Sequence, residues 1–125
     1  MNEQNEASVR IGLVGPCAAG KSTLSAALKQ RGYIIRHIAQ EHSFVKDMWK
    51  RLNNPDILVF LDAAYPTTIQ RRKLDWTEAD WQEQQRRLSH ARRHADFYIE
   101  TDPLSRDEVL QKVINFIENW RKGLQ

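Results

Sequence analysis

An α/β fold of three layers, with helices on both faces of a short, mainly parallel sheet of about four strands, is predicted by three features of the sequence. Short β-rich runs alternate with stretches of helical periodicity, the pattern of βαβ units. One run, Ile57-Leu58-Val59-Phe60-Leu61, is apolar without alternation, as in a central strand covered on both faces. A glycine-containing loop joins the first strand-like run to the first helix-like one. Crossovers in such a sheet are right-handed, and ligands bind at the carboxyl ends of its strands.

Each element has its own justification. Val9 to Val14 is β-rich and ends in Gly/Pro/Ala punctuation, which predicts the first strand. Ser22 to Arg31 carries Leu24, Ala27 and Leu28 at helical spacing, and Gly32 stops that helix. Tyr33 to Ala39 reads as the second strand. Ser43 to Leu52 sets Phe44, Val45, Met48 and Leu52 on one helical face, and Asn53-Asn54-Pro55 ends it. The third strand is the apolar run, with Asp62 at its carboxyl end. Pro66 suits the first turn of a helix to about Leu74, and Thr77 with Asp80 forms a capping box for another to about Ala95. Phe97 to Glu100 is a fourth strand. Ser105-Arg106-Asp107-Glu108 is a second capping box, followed by Val109, Val113, Phe116, Ile117 and Trp120 on one face and Gly123 at the end.

A chain of 125 residues buries roughly two-thirds of its unfolded surface as one compact body, so residues 8–125 read as one domain after a tail at 1–7. Hydrophobic residues at 41% and charged residues at 28% exclude disordered, collagenous and low-complexity classes. No apolar run approaches the ~20 residues needed to cross a bilayer, and the first residues are polar and acidic rather than signal-like, so a cytoplasmic protein without a membrane partner is expected. The single Cys17 makes no intrachain disulfide, and with four histidines it is too little for a structural zinc site; an oxygen-bound ion is what remains. The net charge of +3 sits wholly between Arg71 and His94, where seven cations face four anions. That is too small to call for nucleic acid, and no aromatic platform accompanies it. The short edges of a four-strand sheet leave room for pairing with a second copy as a homodimer.

Gly15-Pro16-Cys17-Ala18-Ala19-Gly20-Lys21-Ser22 matches G-x-x-x-x-G-K-[ST] at every fixed position and is followed by Thr23. A chance match in a chain this long has a probability on the order of 1% or less. Its backbone N–H groups and the start of the next helix form a preformed anion site, the P-loop of the NTPase folds. Lys21 reaches the β- and γ-phosphates of a nucleoside triphosphate there, and the Ser22 hydroxyl ligates the bridging Mg²⁺. No Asn/Thr-Lys-x-Asp guanine-reading motif occurs, so ATP is the expected nucleotide.

A carboxylate is needed near the metal. Asp62 ends an apolar strand beside the P-loop, the Walker B arrangement, and Glu41 in Gln40-Glu41-His42-Ser43 is the alternative, as base or water-mediated metal contact. Phosphoryl transfer also asks for cations near the γ-phosphate. Arg86, His90 and Arg93 fall at i, i+4 and i+7 on one helix face, opposite an apolar stripe of Trp81, Leu88, Ala91 and Ala95. The plainer reading pairs these arginines with Glu83 or Asp80, at about 0 to 1 kcal/mol each. Cys17 reads as a small filler and Trp49 and Trp120 as packing. The histidines show no spacing of metal ligands, and Trp76 and Trp81 read as anchors of a short loop.

With its P-loop, its Asn54-to-Asp62 strand, its arginine-bearing helical pair and its Phe97-to-Ser105 ending, the chain resembles the P-loop nucleoside and nucleotide kinases, thymidylate kinase being the nearest pattern. The resemblance implies that a lid of arginines closes over ATP, drawn from Arg86, Arg87, Arg92 or Arg93. It also implies that Arg71 or Arg72 lies near the base and that Thr101, Asp102, Pro103 and Leu104 line it. Those kinases carry a further strand and an acceptor-binding region before the strand that here ends in Asp62; only about one helix fits here, which makes this a minimal form. In thymidylate-kinase-like chains the acid ending that strand often supports structure, and the metal-linked acid belongs to the missing strand. The expected function is transfer of the γ-phosphoryl group of Mg-ATP to a small acceptor. The alternative is a regulatory nucleotide-binding module or weak NTPase.

Overall fold

The computed structural model describes residues 9–16, 19–64 and 77–123. Strands β1 (Arg10–Val14), β2 (Ile34–His37), β3 (Ile57–Asp62) and β4 (Phe97–Glu100) form a sheet in the order β2-β1-β3-β4, and every pairing is parallel. The helices are α1 (Lys21–Gln30), α2 (Glu78–His94) and α3 (Arg106–Gly123). Among the described residues no helix is long and apolar enough to cross a membrane. The helix expected from Pro66 to Leu74, the tail at 1–7, and Cys17, Ala18, Arg71, Arg72 and Trp76 lie outside the described residues.

Alternation along the strands sends successive side chains to opposite faces, which creates two cores. Ile11, Leu13, Ile57, Val59 and Leu61 pack against Leu24 and Leu28 of α1 and Val113 and Ile117 of α3. Val14, Leu58 and Phe60 pack on the other face against Leu88 and Ala91 of α2 and Trp49. This is the three-layer αβα arrangement, and β3 is buried from both sides, as its unbroken apolar run requires.

The local signals hold. Asp80 donates its backbone N–H to the Thr77 hydroxyl while the Asp80 carboxylate accepts from Thr77 N, and Ser105 and Glu108 make the same reciprocal pair. Asn54 adopts the left-handed region at φ 39°, just before Pro55. The second strand is shorter than the expected Tyr33 to Ala39, and just before it Tyr33 donates its hydroxyl to Glu118 of α3 at 2.6 Å. Burial and that bond push the Tyr33 phenol up to about 12.

Residues 43–52 correct the expectation of a helix. A 3₁₀ turn spans Gln40–His42 and a wide π turn spans Trp49–Asn53, while Phe44 is 84% and Leu52 73% exposed. The cause is the fully buried Gln40 amide. Its Oε1 accepts from Trp49 N at 2.8 Å, and its Nε2 donates to the carbonyls of Val45 at 2.8 Å and Arg87 at 3.3 Å. A side chain that supplies these bonds replaces the backbone ladder a helix would have used.

Trp49 enters the core with Met48 of the expected stripe packed against the same cluster, and its indole N–H donates to His90 Nδ1 at 3.1 Å. Burial, and then the nearby His94 with its ring centre 4.2 Å away, hold His90 below the ordinary imidazole value of 6.5; Lys46 and Arg93 act in the same direction and Asp47 opposes them. The unfolded chain therefore binds the proton more readily than the native one. Stability is expected to be complete above pH 6.5 and to fall as the pH drops from there through the lowered native value. Urea unfolding across that window, compared with His90→Asn, checks this, and equal acid sensitivity of the two proteins would refute it.

Candidate functional site

The phosphate loop leaves β1 at Gly15 and enters α1 at Lys21. Gly15 has φ +152°, and a Cβ there would lie 2.0 Å from the carbonyl oxygen of Leu61, so the loop can pass the end of β3 this closely only with glycine. Gly20 takes φ +100° with no atom near a hypothetical Cβ; its requirement is purely conformational. Ser22 and Thr23 are exposed in the first turn of α1, where the unpaired N–H groups and the helix dipole favour an anion.

Lys21 turns inward. Its Nζ donates to the Gly15 carbonyl and, at 2.5 Å, to Glu41 Oε2, and the two charged side chains are only 4% and 5% exposed. The other carboxylate oxygen, Glu41 Oε1, is buried and has no hydrogen-bond partner among the described residues. His42 Nε2 stands 3.8 Å from Oε2, with its own ring 61% exposed. Burial, and then the nearby Lys21, hold His37 below the ordinary imidazole value.

These groups line a cleft of about 900 Å³ at the carboxyl end of the sheet. One side is Lys21, Ser22, Thr23, His37, Glu41 and His42; the other is Thr101, Leu104 and Arg106. Thr101 is buried, and its Oγ1 lies 3.1 Å from the Ala19 carbonyl and 3.2 Å from that of Asp62, so it ties the phosphate loop to β3. Asp102 and Pro103 are not among the lining residues; the Asp102 carboxylate accepts from Ala64 N at 3.0 Å.

The two candidate acids are separated. Asp62 points to the α2 side of the sheet, where its Oδ2 accepts from the Tyr98 hydroxyl at 2.5 Å and from Arg92 at 3.4 Å, and its Oδ1 from Ala63 N at 3.0 Å. Burial and the Asp62 bond raise the Tyr98 phenol. Arg92 also lies over the Phe60 ring at 4.7 Å. With both oxygens engaged and Asp62 absent from the cleft lining, its donor set does not fit a metal shell beside Ser22; Glu41 lines the cleft and keeps one buried oxygen without a partner among the described residues.

The arginines are likewise sorted by how α2 rolls onto the sheet. Gln84, Leu88 and Ala91 face inward, which sends Arg86 and Arg93 outward to solvent. Arg86 pairs with Glu83, and neither it nor Arg93 lines the cleft; of the face expected of Arg86, His90 and Arg93, the two arginines are solvated and His90 packs against Trp49. Arg87, beside the apolar stripe, is the arginine that meets the site: its Nη1 donates to the Glu41 carbonyl at 3.2 Å, and its guanidinium covers the Phe44 ring at 4.3 Å. Gln40 and Arg87 are the residues sequence reasoning missed as supports of Glu41. A signal for Arg87 existed, since it precedes Leu88 in the stripe.

No family model matches the chain, and no curated protein matches it. Among solved structures, the chain is similar to "Structure of deoxyadenosine kinase from M. mycoides with bound dCTP", with a TM-score of 0.61 and 17% sequence identity over 88% of this chain and 99% of that one. The likeness is one of fold. It supports the P-loop kinase-like architecture and does not single out the thymidylate-kinase pattern.

Proposed function

We propose that the chain is a small ATP-dependent kinase that passes the γ-phosphoryl group to a small hydroxyl-bearing acceptor, with Glu41 as general base. The observation that carries this reading is the buried Lys21–Glu41 pair at the start of the helix that follows the G-x-x-x-x-G-K-[ST] loop, with Glu41 lining the cleft and one of its carboxylate oxygens buried without a partner among the described residues. In the step proposed, the acceptor oxygen bonds to Pγ, the bond from Pγ to the β-bridging oxygen breaks, ADP leaves, and the hydroxyl proton goes to Glu41. Lys21 and the loop N–H groups hold the β- and γ-phosphates, and Ser22 would ligate a Mg²⁺ ion, which when bound neutralises phosphate charge. The fold likeness to a deoxyadenosine kinase supports the same class of reaction. We read residues 8–125 as one such domain.

A nucleotide-depletion assay over nucleosides, nucleotides and small alcohols tests the reading. Glu41→Gln is expected to retain MgATP binding while acceptor-dependent turnover falls by about 10²- to 10⁴-fold, the usual span for loss of a general base. Undiminished turnover would remove Glu41 from the role.

The regulatory alternative is favoured by one observation: between β2 and β3, residues 38–56 hold only a three-residue 3₁₀ helix and a five-residue π-helix, which leaves little chain to build an acceptor site. Binding of ATP with no acceptor that speeds ADP release above hydrolysis would select it.

A further inference from the structure

We propose that the Lys21–Glu41 contact is a lock that the phosphate donor opens, so that the carboxylate becomes available to an acceptor only after the triphosphate is seated. The inference rests on the kinase reading above and adds an order of events to it. Lys21 Nζ is engaged by Glu41 Oε2 at 2.5 Å and by the Gly15 carbonyl, yet it is the same ammonium that a bound triphosphate must recruit. One cation cannot satisfy both partners in full. The two oxygens of Glu41 are unequal: Oε2 is held by Lys21, and Oε1 is buried without a partner among the described residues.

The geometry decides which side moves. Glu41 sits in the 3₁₀ turn Gln40–His42, whose first residue is fixed by three hydrogen bonds through its buried amide. Its own carbonyl is held by Arg87 at 3.2 Å. Lys21, by contrast, carries its charge on a flexible four-carbon stem at the first position of α1. A polyphosphate offers that ammonium several anionic oxygens in place of one carboxylate, so the lysine swings and Glu41 stays. Glu41, which lines the cleft, then has its cation withdrawn, and a buried carboxylate in that state demands a new proton donor. The acceptor hydroxyl meets the demand.

The test is MgATP affinity by calorimetry in wild type, Glu41→Gln, Lys21→Ala and the double variant, with AMP as a second ligand. Glu41→Gln releases Lys21 from an ionic partner and is expected to tighten MgATP binding about tenfold, the difference between a charged and a neutral hydrogen-bond acceptor. The gain should vanish in the Lys21→Ala background. It should also be absent for AMP, which lacks the phosphates that recruit Lys21; this comparison stands even where Lys21→Ala folds poorly. An equal gain in both backgrounds or for both nucleotides would mean simple repulsion between Glu41 and phosphate and would overturn the lock while leaving the kinase reading in place. An unchanged affinity in Glu41→Gln would do the same. MgATP binding by none of the variants, wild type included, would overturn the functional reading and the lock with it.

Discussion

Lys21→Ala is expected to lower turnover by at least about 10²- to 10³-fold, the cost of removing one preorganised charge donor from a transition state. It should also destabilise the fold. Glu41 is 5% exposed and paired to Lys21, so deleting the lysine leaves an uncompensated buried carboxylate, a situation that costs about 3–5 kcal/mol. The double variant Lys21→Ala/Glu41→Gln removes that charge and should recover most of the lost stability without recovering turnover. Urea unfolding of the three proteins beside a turnover assay separates the two effects. Stability unchanged in Lys21→Ala would mean that the pair is not buried as described, and retained turnover would contradict the role assigned to the lysine.

Gly15→Ala has the second large expected effect. A Cβ at this position meets the Leu61 carbonyl oxygen at 2.0 Å and sits on a backbone at φ +152°, so the substitution collides with backbone and adopts a disfavoured conformation together. Either the loop leaves the end of β3 or β3 shifts, and Leu61 belongs to the core on the α1 and α3 face. A loss of at least ~3 kcal/mol is expected, with MgATP binding abolished. Gly20→Ala is the internal control: it also carries positive φ, at +100°, but has nothing within 4 Å, so only the conformational penalty of about 1–2 kcal/mol applies. Equal effects of the two substitutions in urea unfolding would show that the close approach of loop and strand is not what demands glycine at 15.

Elements whose cause lies within a few residues were readable in advance. The capping boxes at Thr77 and Ser105 need residues only three positions apart, and the left-handed turn at Asn54 is written in its own side chain and the proline that follows. The apolar run of β3 announces burial on both faces because every residue in it is apolar. Residues 43–52 misled because their apolar spacing is genuine, yet Gln40 supplies hydrogen bonds that draw the segment into turns and leave Phe44 and Leu52 in solvent.

From order and spacing alone, the chain encodes an alternating strand-helix scaffold and a G-x-x-x-x-G-K-[ST] loop between a strand and a helix, since periodicity and loop chemistry act over short stretches. Which acid faces that loop was settled elsewhere. Glu41 is brought to Lys21 from 20 residues away, and Arg87 to the Glu41 carbonyl from 46, by the order in which strands stack and the roll of α2 on the sheet. Asp62, at the end of the adjoining strand, is turned to the opposite face by the alternation of its own backbone and is claimed there by Tyr98 and Arg92. Contacts of that range depend on the packing of whole layers, and no local pattern carries them.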